Sequence, residues 1–172
     1  MAAEAEVTAP ARAVEQRYAN GSERPLGFYA GAIGAYAVFV SGAAALLHRR
    51  RVPLPPRLGA ADLALLAVAT QQLSRTVAKD TVASPLRAPF TRFAGRAGPG
   101  EVNEDVVAEG WAHGAGELLT CPFCLSQWIA TSFVLGMVVA PRATRLVASV
   151  LALRAGADAL QFAYAALESA VE

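Results

Sequence analysis

Both cysteines of this 172-residue chain lie in Thr120-Cys121-Pro122-Phe123-Cys124-Leu125-Ser126-Gln127-Trp128, where an uncharged apolar run begins. A Cys-x-x-Cys at a helix start sets both thiols beside unpaired backbone N–H groups and the positive end of the helix dipole. Both effects favour the thiolate. Sulfurs at i and i+3 share a face, which Trp128 and Thr131 continue. Three chemistries fit: a structural disulfide or packed thiol pair, a redox dithiol, or two ligands of a metal. A tetrahedral metal wants four ligands, and only His113 or a second chain adds to two, so no metal and no cofactor are expected. If the chain performs a reaction, Cys121 and Cys124 are the catalytic candidates, and thiol–disulfide exchange is the reaction.

A second set of polar residues sits in apolar surroundings. Arg154 and Asp158 are one helical turn apart, and Gln161 continues their face. At ~1.5 Å per residue, Arg154 lies about 13 Å along the helix from Arg145. A lone charge at that depth in a bilayer is costly, so this face must turn inward. Arg154 and Asp158 can pair with each other, although this order opposes the helix dipole preference; by depth, Asp62 is also open as a partner of Arg154 and Arg75 as a partner of Asp158. Three roles fit: charges locking helices together, a proton or ion path, or a polar pocket for a lipid or small ligand. Arg87, Arg92 and Arg96 fit either a solvated, snorkelling face or contact with anionic head groups. His113, near Trp111, reads as a surface or interface residue.

These residues must be positioned by helices in a membrane. Apolar residues reach 55% and charged residues only 17%, with a net charge of +1. Soluble domains carry about a quarter charged residues, and nucleic-acid binders show a basic surface, so no nucleic-acid partner is expected. An Ala-rich soluble helical bundle is the alternative to a membrane protein. Residues 1–26 form a polar tail without the apolar stretch of a secretory signal, with a helical turn around Ala11 to Tyr18. Gly27 to Leu47 is uncharged over 21 residues, enough to span the hydrocarbon core. Gly27 and Gly31, continued by Gly34 and Ala35, form a small-xxx-small face suited to close helix contact, unless they reflect only the abundance of Gly and Ala.

His48-Arg49-Arg50-Arg51 stops that helix, and a Pro-rich linker follows. Further spans are expected at 58–78, 122–140 and 146–168. Pro122 sits in the first turn of the third span, where its missing N–H costs nothing. The connector 79–121 is the one long polar segment. It is expected to hold an amphipathic surface stretch to Phe93, a flexible Gly-rich break at Ala94 to Gly100, and a short helix or ordered loop over Glu101 to Glu117. The short connectors 48–57 and 141–145 carry Arg and no acid, which the positive-inside rule assigns to the cytoplasm. Both termini and 79–121 then face outward with the cysteines.

Several segments together resemble the bacterial family catalogued as domain of unknown function 1360, small integral membrane proteins. They are Leu73-Ser74-Arg75-Thr76 with Lys79-Asp80, Ala83-Ser84-Pro85-Leu86-Arg87-Ala88-Pro89-Phe90, Glu117-Leu118-Leu119-Thr120-Cys121-Pro122-Phe123-Cys124 with Trp128, and Asp158. The resemblance covers roughly Gly27 to Leu167. It implies a multi-span membrane protein and supplies no catalytic residues. Cys-Pro-Phe-Cys also has the local look of glutaredoxin-type sites, but no strand pattern precedes it and that fold is rejected. No Walker loop, His-Glu-x-x-His, Gly-x-Ser-x-Gly or dinucleotide-binding fingerprint is present.

The expected architecture is an all-α bundle of about four transmembrane helices, forming one membrane domain over 27–171. The expected role is structural or interactive, in a bacterial cell membrane, with the lipid bilayer and a membrane protein or second copy as partners. A membrane thiol–disulfide protein is the alternative, and a small transporter or channel component using Arg154 and Asp158 is the third reading.

Overall fold

The computed structural model describes residues 13–21, 24–55 and 57–170. The 1–12 part of the tail, with the start of its expected helical turn, lies outside the described residues; a helix covers 13–19. Six further α-helices follow: α1 (Leu26–Arg49), α2 (Ala60–Lys79), the single turn α3 (Ser84–Arg87), α4 (Trp111–Thr120), α5 (Pro122–Val139) and α6 (Pro141–Ser169). A 3₁₀ turn, Thr81–Ala83, joins α2 to α3. A hairpin of β1 (Thr91–Gly98) and β2 (Glu101–Val106) stands between α3 and α4.

The hairpin corrects the all-α expectation and the flexible break at 94–100. Its strands are poor in β-branched residues, and Gly, Ala and Arg hid them. Glycine geometry decides the matter. Gly100, at φ 75°, supplies the positive φ that a type II turn needs after Pro99. Gly95, at φ 143°, lies at a register shift between Phe93 and Gly95, where a bulge tightens the local twist. The strands run antiparallel with Thr91 opposite Val106 and Arg92 opposite Asp105.

Helix boundaries follow local chemistry. His48 and Arg49 occupy the last turn of α1, where cations complement the dipole. Asp62 lies in the first turn of α2, where an anion does. Pro122 and Pro141 each open a helix. The segment expected as a connector at 141–145 is therefore the first turn of α6, and the reversal from α5 takes only Ala140. Gly136 permits it: a Cβ there would meet the Thr144 hydroxyl at 2.6 Å.

Helix α2 is the central element and packs against both α5 and α6. The core between them is Leu66, Ala69, Phe133, Met137 and Ala148, flanked by Leu65, Leu73, Ile129 and Leu151. Helix α1 stands outside this trio. It touches α4 through Phe28 and Trp111, edge to face, and α5 through Tyr36 and Phe39 against Trp128. Of the expected Gly27/Gly31 face, Gly31 receives the Trp111 ring of the same chain, while a Cβ on Gly27 would meet nothing.

Gly114 is the tightest of these approaches, since a Cβ would lie 2.3 Å from the Phe28 ring. Gly114→Ala is expected to push α1 off α4 at a cost of ~1–3 kcal/mol. A lowered unfolding midpoint in a detergent titration, partly recovered by Phe28→Ala in the same chain, is the outcome that checks it. An unchanged midpoint would remove Phe28 from the docking of α1.

Candidate functional site

The dithiol stands at the junction of α4 and α5. Cys121 has extended backbone (φ −101°, ψ 103°) and is the N-cap of α5, with its Sγ accepting the N–H of Cys124 at 3.2 Å. Both residues are thiols. Their sulfurs are 2.6 Å apart, with Cys124 exposed. As the third residue of α5, Cys124 has an N–H without a helical acceptor, and the Cys121 sulfur supplies one. Trp128 and Thr131 do continue this face, but toward α1: Tyr36 contacts the Thr131 hydroxyl and accepts from Gln127, while Trp128 stacks on Phe39. Among the described residues, no cluster of three His, Cys, Asp or Glu is placed to hold a metal.

A second constellation is built around Arg87, whose side chain is 0% exposed. Its Nε and Nη2 donate to the two carboxylate oxygens of Glu104 at 2.7 and 3.0 Å. Nη1 donates to the Val77 carbonyl at 2.6 Å and Nη2 to the Asp80 carbonyl at 3.0 Å. These carbonyls end α2, where backbone acceptors lack helical partners, so Arg87 caps that helix with a cation at its negative end. Ser84 and Thr91 hydroxyls complete the Glu104 shell at 3.0 and 3.1 Å. Arg87 is thus an internal staple and not a head-group contact; Arg92 and Arg96 remain exposed.

The Asp80 backbone belongs to that staple, and its side chain faces α6. It accepts the Val82 N–H at 3.2 Å and a hydrogen bond from Arg154 Nη2. Arg154 also donates to the Thr76 hydroxyl at 3.0 Å.

A family model described as a protein of unknown function, DUF1360, matches residues 65–164. The chain belongs to the DUF1360 family. Neither the curated proteins nor the solved structures contain a match. The matched segment of this DUF1360 protein runs from within α2 to within α6. It therefore contains the dithiol, the Arg87–Glu104 pair and the Asp80–Arg154 contact, while α1 lies outside it.

The remaining polar residues of the DUF1360 bundle pair differently from the depth estimate. Asp62 receives two hydrogen bonds from Arg145, both 2.8 Å, and not from Arg154. Arg75 meets Glu101 of the hairpin at 2.6 to 2.9 Å, and not Asp158. Asp158 accepts from Gln72 at 3.0 Å. Two facts account for the change. Arg154 is long enough to reach along α2 toward its polar end, and the hairpin supplies carboxylates at that end. Gln161 is exposed and makes no hydrogen bond to this set among the described residues. Pro89, expected as a motif residue, follows α3 where the chain turns into β1.

Glu117 gathers a third group: Arg24 at 2.6 Å, the Tyr29 hydroxyl, and His113 Nε2 at 3.6 Å. Sequence reasoning missed Glu101, Glu104 and Glu117 as partners. For Glu104 a signal was available in charge order, since acids follow the basic residues of 87–96 at hairpin spacing; for Glu101 and Glu117, whose partners are Arg75 and Arg24, none was. Between α2 and α5 a cavity of about 560 Å³ runs from Leu63 and Val134 up to Arg75, Pro122 and Ser126.

The hydrogen bond from Arg87 outweighs burial and holds the Glu104 carboxyl below its ordinary 4.5. Burial raises Asp80, but the Arg154 hydrogen bond, the Val82 N–H and the charges of Arg154 and Arg87 bring it below 3.8. A carboxyl depressed in the folded state adds stability above its unfolded pKa and loses it as pH falls through the folded value. Unfolding midpoints should be flat above about pH 5 and fall steadily in more acid solution. Glu104→Gln should cost about 3 kcal/mol at neutral pH and flatten the acid limb. An acid limb as steep as that of the parent would exclude Glu104 as its source.

Proposed function

We propose that this DUF1360 protein is a four-span component of a bacterial cell membrane that acts through contacts and not through catalysis. Three helices, α1, α5 and α6, are long and apolar enough to cross a membrane. The carrying observation is how little the chain covers them: 0%, 11% and 6% of their most apolar windows is buried. Such surfaces need lipid or a partner helix. Helix α2 is the fourth span in this reading. Its polar Gln72 and Ser74 are buried between α5 and α6, so its less apolar composition is compatible with a lipid-surrounded trio.

Both short reversals lie at one end of the bundle, where Pro53, Leu54, Asp62, Pro141 and Arg145 line one cleft. Segments 48–57 and 141–145 carry six arginines and no acid, and only Arg145 is matched among the described residues, by Asp62; this excess supports a cytoplasmic assignment. The hairpin and dithiol then face outward. Single reporter cysteines at Ala97 and Ala143, in a Cys121→Ser/Cys124→Ser background, should label from opposite sides of sealed vesicles. Labelling from the same side sinks the topology. Photo-crosslinkers at Ile33 and Val38, both 71% exposed on α1, should trap discrete adducts in native membranes.

A second reading rests on the Cys121 N-cap geometry. The dithiol would exchange with an external disulfide: one thiolate attacks it, releasing a thiol and forming a mixed disulfide. The other thiolate then displaces the second thiol and closes Cys121–Cys124. Mass-tag alkylation across a glutathione redox series should show a two-electron transition that Cys124→Ser abolishes. Two thiols that stay alkylatable throughout an oxidising series would exclude this chemistry.

A further inference from the structure

The contact between α1 and α5 is confined to one half of their length. Near the hairpin end they are tied by Tyr36, Gln127, Thr131 and Trp128. Beyond Phe39 a cavity of about 560 Å³ opens, walled by Val40, Ala44, Leu47 and Leu135, with His48 and Arg51 at its end. From Val40 to its end at Arg49 the helix rises about 14 Å, which is roughly one leaflet of a ~30 Å hydrocarbon core.

The charges at its mouth meet no carboxylate among the described residues. Arg75, Arg87, Arg145 and Arg154 each meet a carboxylate. Among the described residues, none of His48, Arg49, Arg50 or Arg51 makes an ion pair. Arg51 also holds an unusual backbone. The Arg51 N–H donates to the His48 carbonyl and the Val52 N–H to the Leu47 carbonyl, both at 3.0 Å. This is a Schellman closure, in which the residue after the cap is usually glycine. Here that residue is arginine at φ 50°, a conformation that costs a non-glycine residue energy. The closure folds Val52 and Leu54 back against the cavity, so the cationic end and the apolar wall form one surface.

We propose that one anionic phospholipid of the leaflet at this end occupies the cavity. An acyl chain lies between α1 and α5, and the phosphate meets His48 and Arg51. The proposal rests on the membrane-spanning reading above. It also explains why α1 diverges from α5: the space between them is filled by lipid.

The test is native mass spectrometry of the purified full chain in detergent. Phosphatidylglycerol, phosphatidylcholine with the same acyl chains, and inorganic phosphate are offered separately. The expected result is one phosphatidylglycerol retained per chain under washing that strips phosphatidylcholine. His48→Gln/Arg51→Gln should weaken phosphatidylglycerol about fivefold or more, the scale of losing basic residues at an anionic surface. Ala44→Phe, which fills the wall and leaves the cations in place, should weaken it as well. Arg92→Gln/Arg96→Gln, at the opposite end, should not. Equal retention of the two lipids overturns the proposal. Binding of inorganic phosphate with no effect of Ala44→Phe also overturns it, since the site would then be a basic patch alone. Carbonate extraction of the same variants separates the two readings. A chain that resists extraction yet retains no phosphatidylglycerol loses the lipid site and keeps the spans, whereas a chain released by carbonate loses both.

Discussion

The arrangement depends on a guanidinium with no access to water. Burying an ion pair is costly unless every remaining donor and acceptor is matched, and Arg87 meets that condition with Glu104, two backbone carbonyls and a hydroxyl. Because the carbonyls are those that end α2, one side chain stops the central helix, anchors the turn after it and fixes the hairpin. Its effect reaches into the bundle through Asp80. The carbonyl of Asp80 is held by Arg87 and its carboxylate is aimed at Arg154 of α6. A loosened hairpin would therefore also release the polar end of the α2–α6 interface.

Charges near lipid are distributed by the same logic. Asp62 and Arg145 meet at one end of α2, and Asp80 and Arg154 at the other. Between them Gln72 and Asp158 share a hydrogen bond. The two ion pairs thus lie toward the ends of α2, and the Asp158 carboxylate is met by the Gln72 amide. The apolar middle is left to Leu66, Ala69, Phe133 and Ala148. An arrangement of matched pairs at helix ends favours a fixed bundle over a continuous polar path.

Helix α1 obeys a different constraint. It is tied to the rest over its first half by rings and glycines, with Phe28 against Gly114, Trp111 against Gly31, and Trp128 against Tyr36 and Phe39. Close approach in lipid rewards small residues because packing, and not water release, drives association. Its second half lacks such fits, and a cavity separates it from α5. The part of the chain matched by the family begins at residue 65, so α1 lies outside the matched segment.

The sequence by itself determined the long helices and several of their ends. Uncharged runs long enough to span, Pro122 and the basic stop at 48–51 act locally, through chain length, hydration and missing N–H donors, whereas Pro141 opens α6 inside the segment expected as a connector. It also singled out Arg87 and Asp80 without revealing their partners. Tertiary structure alone decided those partners. Arg87 turned inward because a hairpin hidden in Gly, Ala and Arg brought Glu104 to it. Arg75 found Glu101 by the same folding. The depth estimate for Arg154 failed because a flexible side chain reaches further along a neighbour than a fixed rise per residue allows. Pairing across a fold depends on turns and register set by distant residues, and no single stretch of chain contains them.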